Sequence, residues 1–475
     1  MAADHTPADG DGSLADTVVV SNRGPLSFRF ESGEPVAGEV AGGLAGSLRP
    51  MVAGTGATWV ACAMGDADRA ASVSGQMFEG GLRIELVEPE AEVYNMAYNV
   101  VSNAILWFCH HHLFDAARRP RADRRWAVAW DAYREFNHLF AQRVAKVAPE
   151  GGRVLVQDYH LALMGSELAR LRPDLRTAHF SHTPFADPSV LRMLPTAVAT
   201  ELLEGMSGFG ICGFHTERWA TAYRAGQSEL GASGGDHAGP GSTYASALTT
   251  DPDALRAEGA NPAVAAALGG IEESIGGDDR QAIVRVDRME LSKNLLRGFW
   301  AFEELLENEP GRRERVVFVA LAYPTRQGLP EYLAYQNEVE STVARINERW
   351  GTPGWTPIAL GVEDDYQRSL AAMSRSDVLL VNPVRDGLNL VAKEGPLLNT
   401  RDGVLALSRE AGAFEELRSA ALEVNPFDVS GTAAVLSRAL DMDGDERAAR
   451  ATALRSLVLA RGPADWLDDQ RRAAR

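Results

Sequence analysis

Residues able to do chemistry gather in five short segments of the chain. In 18–25 (VVVSNRGP) an apolar run ends on Ser-Asn-Arg, which leaves Arg23 past the carboxyl end of a strand, where open α/β sheets hold ligands. Just downstream, Gly42 and Gly43 precede an expected helix, whose first amides can come close to a phosphate. A glycine pair can equally mark a plain turn. In 98–107 (YNVVSNAILW) Tyr98 and Trp107 carry hydrogen-bond donors, although aromatics at this spacing also suit a core. The runs 154–160 (VLVQDYH) and 179–185 (HFSHTPF) each end on a polar residue, Asp158 and His182. A lone histidine is often structural, but two strands ending this way strengthen the site reading.

Two further segments carry cations. Arg288 and Lys293 lie five residues apart in 284–293 (VRVDRMELSK), a planar fork and a point charge suited to a diphosphate, or else a solvated loop. Segment 381–395 (VNPVRDGLNLVAKEG) reads as strand, tight turn at Asp386-Gly387, then helix. Amides at a helix start favour anionic oxygens, and Glu394, about one turn in, can accept two ribose hydroxyls. Arg385 and Lys393 fit either a site or simple surface charges. No metal is expected. His110, His111 and His112 are adjacent and cannot all face one ion, and the DxD triplets at Asp66–Asp68, Asp251–Asp253 and Asp441–Asp443 follow no convincing strand.

The elements that must position these residues alternate. Strands are predicted at 17–21, 154–157, 177–181 and 209–214, then at 283–286, 316–322, 358–360, 378–381 and 404–408. Helices are predicted between them, including 189–206, 216–225, 331–350 and 367–374, with a Gly/Ser-rich loop over 226–241. Continuous apolar strands separated by helices mean parallel sheets covered on both faces. The reading is an α/β chain of two doubly wound, Rossmann-like domains across a deep cleft. A disordered tail (1–15) precedes a first domain over 16–250 and a second over 251–455. A final helix in 456–475, holding Trp466, returns to the first domain.

The charge balance, 47 Lys and Arg against 65 Asp and Glu, gives a net −18. That disfavours nucleic acid as a partner, while a few arginines can still line a cleft for an anionic substrate. Only three lysines occur, Lys146, Lys293 and Lys393, against 44 arginines; where such a bias prevails, a surviving lysine points weakly to a place that arginine does not fit. The cysteines, Cys62, Cys109 and Cys212, are too few and scattered for a disulfide framework. No apolar run reaches the length of a membrane span and the first residues are acidic, so no membrane is expected as a partner and the expected location is the cytoplasm.

In order along the chain, SNR, GGL, YN…SNAILW, QDYHL, HTPF, GFHT, VDR…SK, PTR, GWTP, RDGLNLVAKE, LSREAGAFEEL and VNP resemble the trehalose-6-phosphate synthase family of retaining glycosyltransferases, over about residues 17–430. The resemblance implies the two-domain GT-B architecture and transfer of glucose from a nucleotide diphosphate to the 1-OH of glucose 6-phosphate. It implies retention of configuration without metal or other cofactor, the leaving phosphate itself taking the acceptor proton. Trehalose biosynthesis would be the setting, with any dephosphorylation left to a separate phosphatase and a homo-oligomer possible. By matching position, Arg23, Tyr98, Trp107, Asp158 and Arg326 would hold the acceptor. Gly42, Gly43, Arg288 and Lys293 would contact the diphosphate and His182 the donor glucose. Asp386, Gly387, Leu388 and Asn389 would form the turn around that glucose, and Leu390, Val391, Ala392, Lys393 and Glu394 the helix start that takes phosphate and ribose. Asp158, His182, Arg288 and Lys293 are the residues expected to carry catalysis.

The chain departs from the family pattern in places. The family's RLDY-KG is Arg288-Met-Glu-Leu-Ser-Lys293-Asn here, and its HDYH is Gln157-Asp158-Tyr-His. After GWTP, where the family often has an aromatic near the base, ungapped alignment puts Asp365 beside Asp364. A carboxylate matches the paired N–H donors of guanine, so GDP-glucose is favoured over UDP-glucose as donor, unless these acids merely solvate a loop. Alternatives are another phosphorylated acceptor on the same fold (a glucosylglycerol-phosphate or pseudo-glycosyl amine synthase) or an inactive nucleotide-sugar sensor.

Overall fold

The computed structural model describes residues 14–39, 43–71, 76–78, 82–230, 242–277 and 279–474. Most of the expected tail, Gly42 and the loop over 231–241 lie outside them. Leu14, placed in the tail by the sequence, is buried and its amide bonds to the Thr55 carbonyl at 2.7 Å.

Two parallel sheets dominate. The first runs Thr243–Ala245, Ile211–Phe214, Arg176–Ser181, Arg153–Gln157, Thr17–Val20, Thr58–Cys62, Leu82–Val87 and Gln76–Phe78, with only the last pair antiparallel. Its central strands, such as Thr17–Val20, are buried on both faces, as continuous β-branched runs covered by helices must be. The second runs Ile358–Gly361, Val316–Pro324, Gln281–Met289, Val378–Val381, Val404–Ser408 and Leu422–Val424, all parallel. Numbered within its own half this is the order 3-2-1-4-5-6, whose reversal lies between Gln281–Met289 and Val378–Val381. A crevice opens at that point beyond the carboxyl ends, and it lies between the Arg288–Lys293 and Arg385–Glu394 segments.

Several boundaries differ from expectation for identifiable reasons. The helix expected over 189–206 is two, Pro188–Leu191 and Thr196–Ser207, because Pro195 cannot continue the first and instead starts the second. Strand Gln281–Met289 extends past 286, so Arg288 lies inside the strand's end rather than after it. The strands Thr58–Cys62, Leu82–Val87, Thr243–Ala245 and Leu422–Val424 were absent from the sequence reading. The helix over 217–225 continues to Leu230, into the stretch expected as loop.

The last helix, Pro463–Ala473, lies against strands Arg153–Gln157 and Arg176–Ser181 and against helix Gly43–Val52. Trp466 is fully buried and meets Phe180 edge-on at 5.0 Å. Among the described residues no helix is long and apolar enough to cross a membrane.

Candidate active site

Three strands of the first sheet end at the cleft. Arg23 follows Thr17–Val20 and is exposed, close enough for its charge to act on the Tyr94 hydroxyl. Asp158 follows Arg153–Gln157 in a left-handed conformation (φ 72°). Its Oδ1 accepts the His182 amide (3.1 Å), so the ends of two strands are tied together. Burial pushes the Asp158 carboxyl up to about 6, despite the amides around it. His182 sits far below the usual histidine range because of burial, helped by neighbouring His215 and His179, and is therefore neutral.

The stretch that holds Tyr98 and Trp107 is a π-helix, Met96–Leu106, followed by Trp107–His110. π-helical turns are rare and collect at functional sites. The result brings both rings to one side: Tyr98 stacks on His160 (5.6 Å) and Trp107 packs on Tyr159 (6.0 Å), the residues just after Asp158. The buried Trp107 indole N–H has no hydrogen-bond partner among the described residues. The Arg326 guanidinium lies 4.0 Å over the Trp107 ring and donates to the Tyr332 hydroxyl at 2.7 Å.

Across the cleft Lys293 Nζ meets Asp386 Oδ2 at 2.6 Å, and Asn389 Nδ2 donates to the same oxygen at 3.1 Å. Burial alone would lower the ammonium and raise the carboxyl. Each one's charge reverses the effect on the other, so the pair stays ionised. Gly387 is a glycine by necessity, since a Cβ there would stand 2.0 Å from the His182 carbonyl oxygen. The two halves thus touch backbone to backbone, with Trp219 Nε1 donating to the Gly387 carbonyl (3.0 Å) and Arg385 Nη2 to that of Phe185 (2.8 Å).

Helix Val391–Leu398 begins at this turn. Asn389, at φ 85°, caps the Ala392 amide (3.2 Å), and Leu390 and Val391 precede it at the open end. Leu388 is buried and its carbonyl accepts the Ala413 amide at 2.8 Å. Glu394 is half-buried and pushed up to about 7 by burial alone.

Some expectations need correction. Lys393 was expected beside the donor phosphates, yet its buried ammonium bonds the Leu248 carbonyl (2.8 Å) and pairs with Glu416 (2.5 Å). It ties the second half to the segment joining the halves. Asp365 was expected to face a guanine, but its Oδ1 accepts the Arg368 amide (2.9 Å) as the N-cap of Tyr366–Arg375. Gly43 opens helix Gly43–Val52, while Gly42 lies outside the described residues. The DxD triplets serve as helix caps or turn anchors through Asp68, Asp251 and Asp443. His110 and His112 accept the amides of Ala186 and Asp187.

Sequence reasoning passed over three residues that shape this site. Glu290, between the two expected cations, is fully buried beside Arg288 and Arg326. Gln157 Oε1 meets His182 Nε2 at 3.1 Å, and Gln157 Nε2 donates to Gln470 Oε1 at 2.9 Å. Only the departure of Gln157 from the family's usual histidine could have drawn attention to this link.

Residues 15–474 match the model of glycosyltransferase family 20. The trehalose-6-phosphate synthase of Mycobacterium sp. (strain KMS) is 32% identical over 98% of this chain and 96% of its own length. A trehalose-6-phosphate synthase structure from Burkholderia multivorans superposes with a TM-score of 0.82 at 29% identity, covering 96% of this chain and 98% of that one. The E. coli protein bound with UDP-2-fluoro glucose gives 0.80 at 27%, covering 96% and 99%. A UDP-forming synthase from Burkholderia xenovorans in complex with glucose-6-phosphate gives 0.81 at 28%, again covering 96% and 99%. With two facing doubly wound sheets and this length of match, the chain belongs to glycosyltransferase family 20.

Proposed function

We propose that this glycosyltransferase transfers glucose from UDP-glucose to the 1-OH of glucose 6-phosphate, with retention, to give α,α-trehalose 6-phosphate. The observation that carries the reading is the grouping of cations where the two halves meet. Arg326, reaching from the second half over Trp107 of the first, forms one group with Tyr98, Asp158 and Arg23, while Lys293, Arg288 and an open helix start form another at the carboxyl ends of the second sheet. The first group suits a phosphosugar: Arg23 and Arg326 for the phosphate, the Asp158 carboxylate for sugar hydroxyls. The second suits a leaving diphosphate, whose growing charge is met by Lys293, Arg288 and the amides of Leu390 and Val391. Such preplaced charge is usually the largest catalytic contribution. Glu394 accepts ribose hydroxyls, and neutral His182, held against Gly387, contacts the donor glucose.

UDP-glucose replaces the GDP-glucose expectation for two reasons. The carboxylate that favoured guanine already caps a helix, and solved relatives carry UDP-2-fluoro glucose or are called UDP-forming. A matrix of UDP- and GDP-glucose against glucose 6-phosphate, glycerol 3-phosphate and glucose, with the anomeric configuration of the product determined, tests the reading. Turnover to the α,α-linked phosphate with UDP-glucose is expected. Preference for GDP-glucose would restore the guanine reading, and transfer only to another acceptor would overturn the acceptor assignment.

A further inference from the structure

Glu290 is a carboxylate with no access to solvent, in a place where the proposed function uses only cations. It lies on the short connection between strand Gln281–Met289 and the Leu291–Lys293 turn. Its Oε1 is 2.9 Å from Arg288 Nη2, and its Oε2 is 3.3 Å from Arg326 Nη1. Neither oxygen has an aligned hydrogen bond from any group among the described residues. The two guanidiniums belong to opposite substrates. Arg326 leans on Trp107 at 4.0 Å, and Arg288 reaches the same ring at 5.8 Å. Two like charges this close repel unless an opposite charge stands between them, and a buried carboxylate is costly unless cations flank it. Each side of the arrangement therefore requires the other.

We propose that Glu290 is a shared positioning residue: one carboxylate that sets the arginine of the donor diphosphate and the arginine of the acceptor phosphate at once. It touches neither substrate and acts through both guanidiniums. The inference rests on the roles given above to Arg288 and Arg326. Charge and approximate reach are the quantities that matter, since the two contacts are ion pairs at 2.9 and 3.3 Å.

The test is a set of double-mutant cycles, read as the Kd of UDP and the KM of glucose 6-phosphate. Glu290→Gln keeps shape and removes charge; both constants are expected to weaken by about tenfold or more. Glu290→Asp is expected to stay within about threefold of the parent on both. In an Arg326→Met background Glu290→Gln should no longer affect the KM of glucose 6-phosphate, while still weakening UDP; in Arg288→Met the reverse should hold. If Glu290→Gln alone does not fold, the charge-balanced pair Glu290→Gln/Arg326→Met still gives the UDP reading against Arg326→Met. Loss confined to one substrate, unchanged or tighter binding of both, or effects that add fully in the arginine backgrounds would overturn the shared role. The single arginine variants separate this from the functional reading: if Arg326→Met leaves the KM of glucose 6-phosphate unchanged, the arginine assignment fails, whatever Glu290 does.

Discussion

At the scale of single residues, the site depends on burial as much as on residue type. Asp158 ionises near pH 6 because burial penalises its charged form. Folded, it holds a proton that the unfolded chain gives up near pH 4, so its contribution makes stability fall as pH rises from about 4 to 6. Over the same window the carboxylate that accepts sugar hydroxyls appears, so kcat/KM for glucose 6-phosphate should rise. Asp158→Asn keeps the size of the side chain without its charge and should remove this acid limb from the pH profile. An unaltered limb would assign it to another group. Lys293 offers a second check. Its ammonium is enclosed with Asp386 at 2.6 Å, and the larger planar guanidinium cannot occupy the same point. Lys293→Arg should lower kcat by about tenfold or more, with little change in melting temperature. Full activity would return the scarcity of lysine to mere compositional bias.

At the scale of elements, what could be read from the sequence follows from locality. Asp158, His182 and the Asp386–Asn389 turn were legible because each follows an apolar run, and the end of a buried parallel strand is where ligands sit. Edge strands such as Thr243–Ala245 were not, being short and flanked by Ser and Gly. Asp365 shows a residue type that admits two readings, since a carboxylate three residues before a free amide is first of all a helix cap. Asp365→Ala should cost about 1 kcal/mol in thermal or denaturant unfolding and leave the ratio of UDP- to GDP-glucose turnover unchanged. A shift in that ratio would give the side chain a role at the base. Lys393 misled in the same way: its place in the motif was right, but its side chain is spent on Leu248 and Glu416. Glu290 and Gln470 could not be read at all, because the second arginine on Glu290, Arg326, follows the next strand, and Gln157 lies 313 positions from Gln470.

At the scale of the whole molecule, the two sheets meet where Gly387 rests on the His182 carbonyl. Arg385 and Trp219 brace this contact from either side, the guanidinium 4.6 Å over the indole. Gly387→Ala places a carbon where none fits and must separate the halves locally, since cores and close backbone contacts yield little. UDP binding, whose proposed contacts lie mainly in the second half, should largely survive, whereas transfer, which needs both halves, should fall by about a hundredfold. Parallel loss of both would place the damage within the second half itself. The helix Pro463–Ala473 adds an ordering in time. His182 is held by Gln157, and Gln157 by Gln470, although every strand of the first sheet lies within residues 17–245. Until that helix docks, the Gln157 side chain that meets His182 lacks its Gln470 partner. Transfer thus depends on a helix remote in sequence from the histidine it supports, and a released chain truncated after Arg461 should still bind UDP but turn over glucose 6-phosphate more slowly.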